Sequence, residues 1–509
     1  MRATSEATTA VRVVAARVRA HPFRIAVEDQ NELVTYAELW HRALAVSTAL
    51  ADAGVPAGSV VALPATRSVD VVAALLGTLA AGLAYLPVDP RSPDTRTRLV
   101  LDLADARAVA GTGEWAREAA RARGIHWVDT SALPVPTAQQ DRSSADSPCY
   151  VLFTSGSTGE PKGVVHHHRS LANLIRWQVA DSRCGERART LQFAPLTFDV
   201  SFQEIFATLC SGGTLVLPPE GVREDPERLW NMLVGSEIER LFLPSVALQT
   251  LAAFTNNDDL REARLREVVS AGEQLRCGHA VRQLFDGLAD CDLVNQYGPT
   301  ETHVVTSHRL DRRPWEWPAL PPIGLAIDNV RLRVLDADGR EVPHGSRGDL
   351  HVSGAAVAVG YANRPELTAE RFTAPGTDDA EYRTGDLVHA DEDGVLWFSG
   401  RADDQMKIAG FRVEPAEVEA AVLDLPGVVT CVVTGLNGHA VSAAVEAQVV
   451  VSTENPTTEA AVVDALRLVL PAHLVPARVR FADALPLTAS GKVDRAAAAE
   501  RLRSSASRI

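Results

Sequence analysis

Short apolar runs recur through the first three hundred residues, and helical stretches separate them. Val60–Leu63, Ala84–Val88 and Ala108–Gly111 come first. Thr190–Phe193, Thr214–Leu217, Arg240–Leu243, Glu267–Ser270 and Leu293–Gln296 follow, with a helix near Ser201–Leu209. Apolar runs of this length read as buried strands, and strands alternating with helices assemble into a mostly parallel α/β sheet. Near the start, Asn31–Leu39 reads as a turn, a short strand and a helix capped at Thr35, with Glu38 three residues on. Val71–Val88 is apolar enough to be screened as a membrane span. Gly77, Gly82 and Pro87 interrupt it, so a buried helix over Val71–Ala81, a stop at Gly82 and a strand at Ala84–Val88 fit better.

The texture changes near Pro314. Asp311–Pro322, rich in proline and tryptophan, reads as a connection. Val330–Leu335 alternates at period two, and Asp336-Ala337-Asp338-Gly339 supplies a hairpin turn. Gly348–Val359 and Gly394–Ser399 add strands, and Gly400–Gly410 reads as a hinge. Beyond it, a helix (Pro415–Leu423), strands (Val428–Thr434, Ala444–Val451), a helix (Thr458–Val469) and a strand (Ala477–Phe481) make a small α+β unit. The division expected is a large core over residues 1–400 and a small lid over 401–509.

At 509 residues, roughly two to four domains or subdomains are expected. The 46% hydrophobic and 23% charged content suits a soluble, cytoplasmic protein, and no signal peptide opens the chain. A formal charge of −15 argues against a nucleic-acid partner. The six cysteines are scattered, which favours reduced buried thiols over a disulfide frame or zinc site.

Five stretches carry chemistry. After the strand-like Tyr150–Phe153, Thr154-Ser155-Gly156-Ser157-Thr158-Gly159-Glu160-Pro161-Lys162 forms a loop of hydroxyls and glycines that delivers one lysine. Such loops free backbone N–H groups for an anion, and the lysine adds a mobile positive charge. The spacing is not the Walker pattern. Asn295-Gln296-Tyr297-Gly298-Pro299-Thr300-Glu301 follows an apolar strand, where open α/β sheets present ligand loops. Tyr382–Leu387 offers Asp386 as an acceptor for ribose hydroxyls. Gly400–Ile408 and Ser490–Arg495 are charged turns, the second presenting Lys492. Alone, each is an ordinary surface turn.

Together and in this order, they resemble the core motifs of the adenylate-forming superfamily, specifically the amino-acid adenylation domains of nonribosomal peptide synthesis. Leu79–Asp89, Phe198–Ser201, Gly348–Gly354 and Leu470–Pro476 extend the match from about Thr35 to Arg495. The resemblance implies a body of two α/β sheet subdomains plus a β-barrel-like subdomain, with a small mobile α+β C-terminal domain. It implies ATP and Mg²⁺, and a two-step ligase: a carboxylate attacks the α-phosphorus of ATP, then a thiol takes the acyl group.

By position, Thr154, Ser155, Gly156, Ser157, Thr158 and Lys162 would grip the β/γ phosphates. Thr300 would contact the α-phosphate, and Glu301 would hold the metal. Asn295, Tyr297 and Gly298 would frame the adenine with the turn Ala271-Gly272-Glu273, and Asp386 with Arg401 would hold the ribose. Lys492 would bridge the substrate carboxylate and the α-phosphate. Asp403 matches the hinge, and Lys407 would face the incoming thiol. Ser490, Ala409 and the arginine-free Ala358–Tyr361 depart from the family pattern.

The resemblance lines the acyl pocket with Asp199, Val200, Gln203, Leu241, Val269, Ala271, Gln296, Val304, Val305 and Lys492, and Phe202 would limit its depth. A carboxylate there pairs with an α-ammonium, so an amino acid is expected rather than the fatty or aryl acid of an acyl-CoA ligase. Six of the ten are small or medium apolar groups, and the set resembles the proline-activating signature, departing at Gln296 and Val269. L-Proline is the expected substrate, a ring-substituted proline or pipecolate the nearest alternative. With no carrier segment after the last motif, a peptidyl carrier protein acting in trans is the expected partner, and a small activator protein is compatible with the resemblance.

Overall fold

The computed structural model describes residues 8–506 except 132, 134–135, 137–140, 157–158, 256–258, 289, 378, 403–404, 409, 427, 436–440, 443, 452–457, 487–492 and 494. The backbone clusters into two compact units. The larger holds Met1–Pro90, Leu101–Leu152 and Gly163–Gly400; the smaller holds Arg91–Val100, Phe153–Lys162 and Arg401–Ile509.

The larger unit is built on two α/β sheets. In one, the order is Gly360–Tyr361, Lys162–His167, Pro148–Thr154, Ala84–Val88, Val60–Pro64, Ala106–Ala110 and His126–Val128. The other is nine-stranded; its parallel centre runs Asp292–Tyr297, Glu267–Ser270, Arg240–Leu243, Arg189–Leu191, Thr214–Val216 and Ile25–Glu28. One continuous core holds apolar residues of both sheets, such as Val61 and Tyr85 from the first and Val27 and Leu215 from the second. Its helices include Tyr36–Asp52, Val69–Ala80 and Val200–Ser211. Val69–Ala80 is buried along nearly its whole length, whereas Tyr36–Asp52 buries one apolar face and leaves Glu38 and His41 exposed. Two of the helices cross closely: a Cβ on Gly77 would lie 2.3 Å from the Ala43 carbonyl oxygen.

The local signals act as expected. Thr35 and Glu38 form a reciprocal capping box, worth about 1 kcal/mol. Helix Val69–Ala80 ends before Gly82, whose φ of 75° suits glycine, and the next strand begins at Ala84. A five-stranded antiparallel sheet stands where the sequence predicts a β-barrel-like region: Val330–Leu335, Gly348–Gly354, Glu381–Ala390, Phe372–Thr373, and Leu396–Arg401 on Glu381–Ala390. The strand predicted to reach Val359 stops at Gly354, at φ 104°.

The smaller unit packs Pro415–Leu423 and Glu459–Arg467 on a sheet of Val428–Gly435, Val445–Val451 and Arg478–Phe481. Within the stretch read as a hinge, Met406–Ile408 is a strand paired with Phe411–Val413. No described helix is long and apolar enough to cross a membrane. All six cysteines are free thiols and buried.

Candidate active site

In the larger unit, most of the predicted residues gather around the ends of three parallel strands. The turn Gly298–Glu301 follows strand Asp292–Tyr297 directly. Glycine is required at 298, since a Cβ there would sit 1.6 Å from the His303 carbonyl oxygen. Two buried carboxylates flank this turn, each held by a tyrosine. Tyr297 donates its phenol to Asp386 Oδ2, and Tyr361 donates to Glu301 Oε1 at 2.7 Å. Thr384 fixes Asp386 from below, its Oγ1 accepting from the Asp386 amide and donating to the Leu350 carbonyl. The Thr300 carbonyl accepts from His166 Nε2 at 2.7 Å. Burial pushes that imidazole down to about 3, so it stays neutral.

Asn295 donates to the Pro322 carbonyl at 2.7 Å. Gly272 takes a φ of 84°, and Glu273 accepts from the Val246 amide, capping helix Ser245–Phe254. Asn295 lies two residues before Tyr297, and the Gly272–Glu273 turn follows the neighbouring strand Glu267–Ser270.

Asp199 is the N-cap of helix Val200–Ser211 and accepts from the Val200 amide at 2.8 Å; it is half-buried, not a fully enclosed carboxylate. The turn leading to it is clamped from both sides. Arg67 donates to the carbonyls of Gln192, Phe193 and Ala194, while Glu204 accepts from the amides of Phe193 (2.9 Å) and Ala194 (3.0 Å). Burial pushes the Glu204 carboxyl up to about 7, against the pull of these donors.

The strand faces correct two pocket assignments. Leu241 pairs with Val268, and both point into the core that holds Leu243 and Leu293. Its neighbour Phe242 pairs with Val269 on the opposite face, in a small cluster with Val294 and Val200. Adjacent residues in a strand face opposite ways, so Phe242, not Leu241, shares a face with Val269 and Gln296. Phe202 stacks on Tyr150 with centroids 4.0 Å apart and lies 5.0 Å from Tyr85. It belongs to the aromatic core rather than to a pocket floor. Val304 and Val305 are buried in a further cluster with Tyr297, Leu174 and Trp177, and Ala271 is buried at the end of its strand.

Three glutamine amides meet beside this face. Gln203 Nε2 donates to Gln178 Oε1 and Gln296 Oε1, and Gln296 Nε2 donates to Gln178 Oε1, each at 2.8 Å. Gln178, on helix His168–Asp181, is absent from the sequence-predicted set. Its signal is a polar residue three positions after Ile175 and four after Leu174 on an otherwise apolar buried face.

In the smaller unit, Ser155 donates to the Arg412 carbonyl at 2.8 Å and accepts from the Glu414 amide at 3.0 Å. The Gly156 amide donates to Glu417, which also pairs with Arg96. Lys162 is buried. Thr154 Oγ1 is buried without a hydrogen-bond partner among the described residues. Arg401 ends strand Leu396–Arg401, and Lys407 stands opposite Arg412. Ser157, Thr158, Asp403 and Lys492 lie outside the described residues.

Residues 14–362 match the family model described as AMP-binding enzyme, and residues 417–492 match that of the AMP-binding enzyme C-terminal domain. A component of the linear gramicidin synthase of Brevibacillus parabrevis is 37% identical over 493 residues, which is 95% of this chain and 10% of that relative. An isonitrile lipopeptide synthase of Streptomyces coeruleorubidus is 36% identical, over 93% of this chain and 32% of that one. This chain thus spans a tenth to a third of the length of these two relatives. Among solved structures, that of PA1221, an NRPS protein containing adenylation and PCP domains, superimposes with a TM-score of 0.84 at 28% identity, over 98% of this chain and 85% of that one. The fold is that of the adenylate-forming enzymes.

Proposed function

The chain belongs to the AMP-binding enzyme family, and from that premise we propose that it activates an amino acid of the proline class with ATP. The substrate carboxylate attacks the α-phosphorus; an O–P bond forms, the bond to the bridging oxygen breaks, and pyrophosphate leaves. A phosphopantetheine thiol of a carrier protein then attacks the acyl carbonyl, and AMP departs. Both reactants of the first step are anions, so neutralisation and in-line positioning are the protein's main work.

The observation that carries this reading is the pair of tyrosine-held carboxylates, Asp386 and Glu301, flanking one turn. Asp386 suits two ribose hydroxyls, with Arg401 beside it in role, while Asn295, Tyr297, Gly298, Gly272 and Glu273 frame the base. Glu301 suits Mg²⁺: no group of three or more His, Cys, Asp or Glu side chains forms a metal cage among the described residues. A single carboxylate is what a cation sharing nucleotide phosphates and water requires. Bound there, Mg²⁺ would neutralise phosphate charge. Thr154–Lys162 would grip the leaving phosphates, Thr300 the α-phosphate, and Lys492 the charge that builds between carboxylate and phosphorus. Asp403 would serve as hinge and Lys407 would face the thiol.

Asp199 favours an α-ammonium group over a fatty or aryl acid. The face that carries Val200, Phe242, Val269 and Val294 is apolar, which favours a compact apolar side chain over a charged one. L-Proline, a ring-substituted proline and pipecolate share that footprint. ATP–pyrophosphate exchange across amino acids tests the reading: proline-class acids should drive it, and Lys492→Ala should abolish it. Exchange that depends on a fatty acid, with thioester formation on free CoA, would refute it.

A further inference from the structure

The turn after strand Asp292–Tyr297 is held at three successive carbonyls. That of Pro299 accepts from the Thr302 amide at 2.9 Å, and that of Glu301 from the Ala358 amide at 2.9 Å. The carbonyl between them, on Thr300, accepts from a side chain instead, His166 Nε2 at 2.7 Å. It belongs to the planar peptide that joins Thr300 to Glu301, so its donor fixes the plane between those two residues. Gly298, Pro299 and Thr300 stay partly exposed, while Glu301 and Thr302 are buried.

His166 is itself built into place. Its ring is 0% exposed and stacks on Tyr150 with centroids 4.9 Å apart, and Tyr150 stacks in turn on Phe202 at 4.0 Å. Nδ1 lies 3.0 Å from the Ser170 hydroxyl, which shares its single proton between that nitrogen and the His167 carbonyl at 2.9 Å. A carbonyl can only accept, so Nε2 carries the imidazole proton. Burial keeps the ring neutral, and Nδ1 is left to accept from Ser170. An apolar side chain would fill the space beside Tyr150 without the cost of burying two ring nitrogens. What it could not supply is the N–H for Thr300.

We propose that His166 is a positioning residue for adenylate formation: its Nε2–H fixes the Thr300–Glu301 peptide so that the Thr300 hydroxyl meets the α-phosphate as the substrate carboxylate attacks. The inference rests on the adenylation reading, in which Thr300 contacts that phosphate. His166 acts through Thr300 alone, so its contribution falls on the chemical step rather than on substrate binding.

The test is ATP–pyrophosphate exchange by the full chain, with the amino acid that wild type turns over fastest. His166→Leu should lower kcat by about tenfold or more, with KM for ATP and for the amino acid within about twofold of wild type. His166→Gln, whose amide N–H can stand where the Nε2–H does, should restore most of the rate. His166→Asn, whose shorter amide ends near the Nδ1 position, should not. Thermal melting checks folding, and the Gln and Asn variants decide the matter if the leucine variant fails to fold. In a Thr300→Val background, His166→Leu should cost little more, because the two residues act as one unit. Wild-type kcat in His166→Leu, equal rates for the Gln and Asn variants, or an undiminished loss on top of Thr300→Val would each overturn the positioning role and leave the adenylation reading standing. A Thr300→Val enzyme with wild-type kcat would remove the α-phosphate role of Thr300 and the inference with it. Wild-type enzyme that shows no exchange with any amino acid would remove the adenylation reading as well.

Discussion

The phenol of Tyr361 donates to Glu301 Oε1 at 2.7 Å, both side chains being buried. Tyr361 sits on a two-residue strand that pairs with Val164 and Val165, and the Ala358 amide also donates to the Glu301 carbonyl. The carboxylate proposed for Mg²⁺ is thus oriented by a segment sixty residues further on. Tyr361→Phe removes one donor and little volume. Half-maximal exchange should require about tenfold more Mg²⁺, with the amino-acid KM nearly unchanged. An unaltered Mg²⁺ dependence would show that Tyr361 only fills space.

The starts of three strands are pinned by an ion network. Glu267 is 0% exposed and accepts from Ser182 Oγ at 2.7 Å, with Arg240 at 3.4 Å and Arg309 at 3.3 Å. Arg309 also holds Asp292 at 2.8 Å. Arg240, Glu267 and Asp292 each open a strand whose far end feeds the candidate site. Glu267→Ala leaves Arg240 buried with its main charge partner gone, so a loss of about 3–5 kcal/mol is expected. Thermal melting reads this as a clearly lowered transition, while amino-acid selectivity stays the same. A variant that melts like the parent would mean that water reaches the network.

Much of this architecture is legible in local chemistry. The Thr35–Glu38 capping box, the Gly82 stop and the strand at Ala84 follow from residue types a few positions apart. Periodicity also finds helix Val200–Ser211 and strand Arg240–Leu243. It cannot say which face of a fully buried strand meets the ligand, because Leu241 and Phe242 are both apolar and both enclosed. That choice is made by the pairing of Phe242 with Val269, a contact between strands about 27 residues apart in sequence. Gln178 and Tyr361 escape for the same reason: their roles exist only where distant elements meet.

Glu204 offers a pH-dependent test. Burial raises its carboxyl from the ordinary 4.5 to about 7. Between those values the folded chain holds a proton that the unfolded chain has lost, so this contribution is present below pH 4.5 and declines as pH rises to 7. In Glu204→Gln that decline disappears. The stability gap between wild type and variant, read from urea midpoints at about pH 5 and pH 8, should therefore shift against wild type by up to about 3 kcal/mol at the higher pH. Parallel curves for the two proteins would place the titration of Glu204 outside this range.

Leu241 and Phe242 allow the strand faces to be tested directly. Phe242 shares its cluster with Val200, Val269 and Val294, next to the face that carries Gln296. Leu241 packs among Leu243, Val268 and Leu293 on the other side. Phe242→Ala should enlarge the space beside Val269 and admit bulkier amino acids in the exchange assay, lowering kcat/KM for the native substrate by about tenfold or more. Leu241→Ala should cost about 2–5 kcal/mol of stability through the cavity it leaves, with the substrate ranking preserved. If Leu241→Ala altered the ranking and Phe242→Ala did not, the register of this strand would be off by one residue. The two variants are neighbours in sequence, so opposite phenotypes can come only from the alternation of the strand.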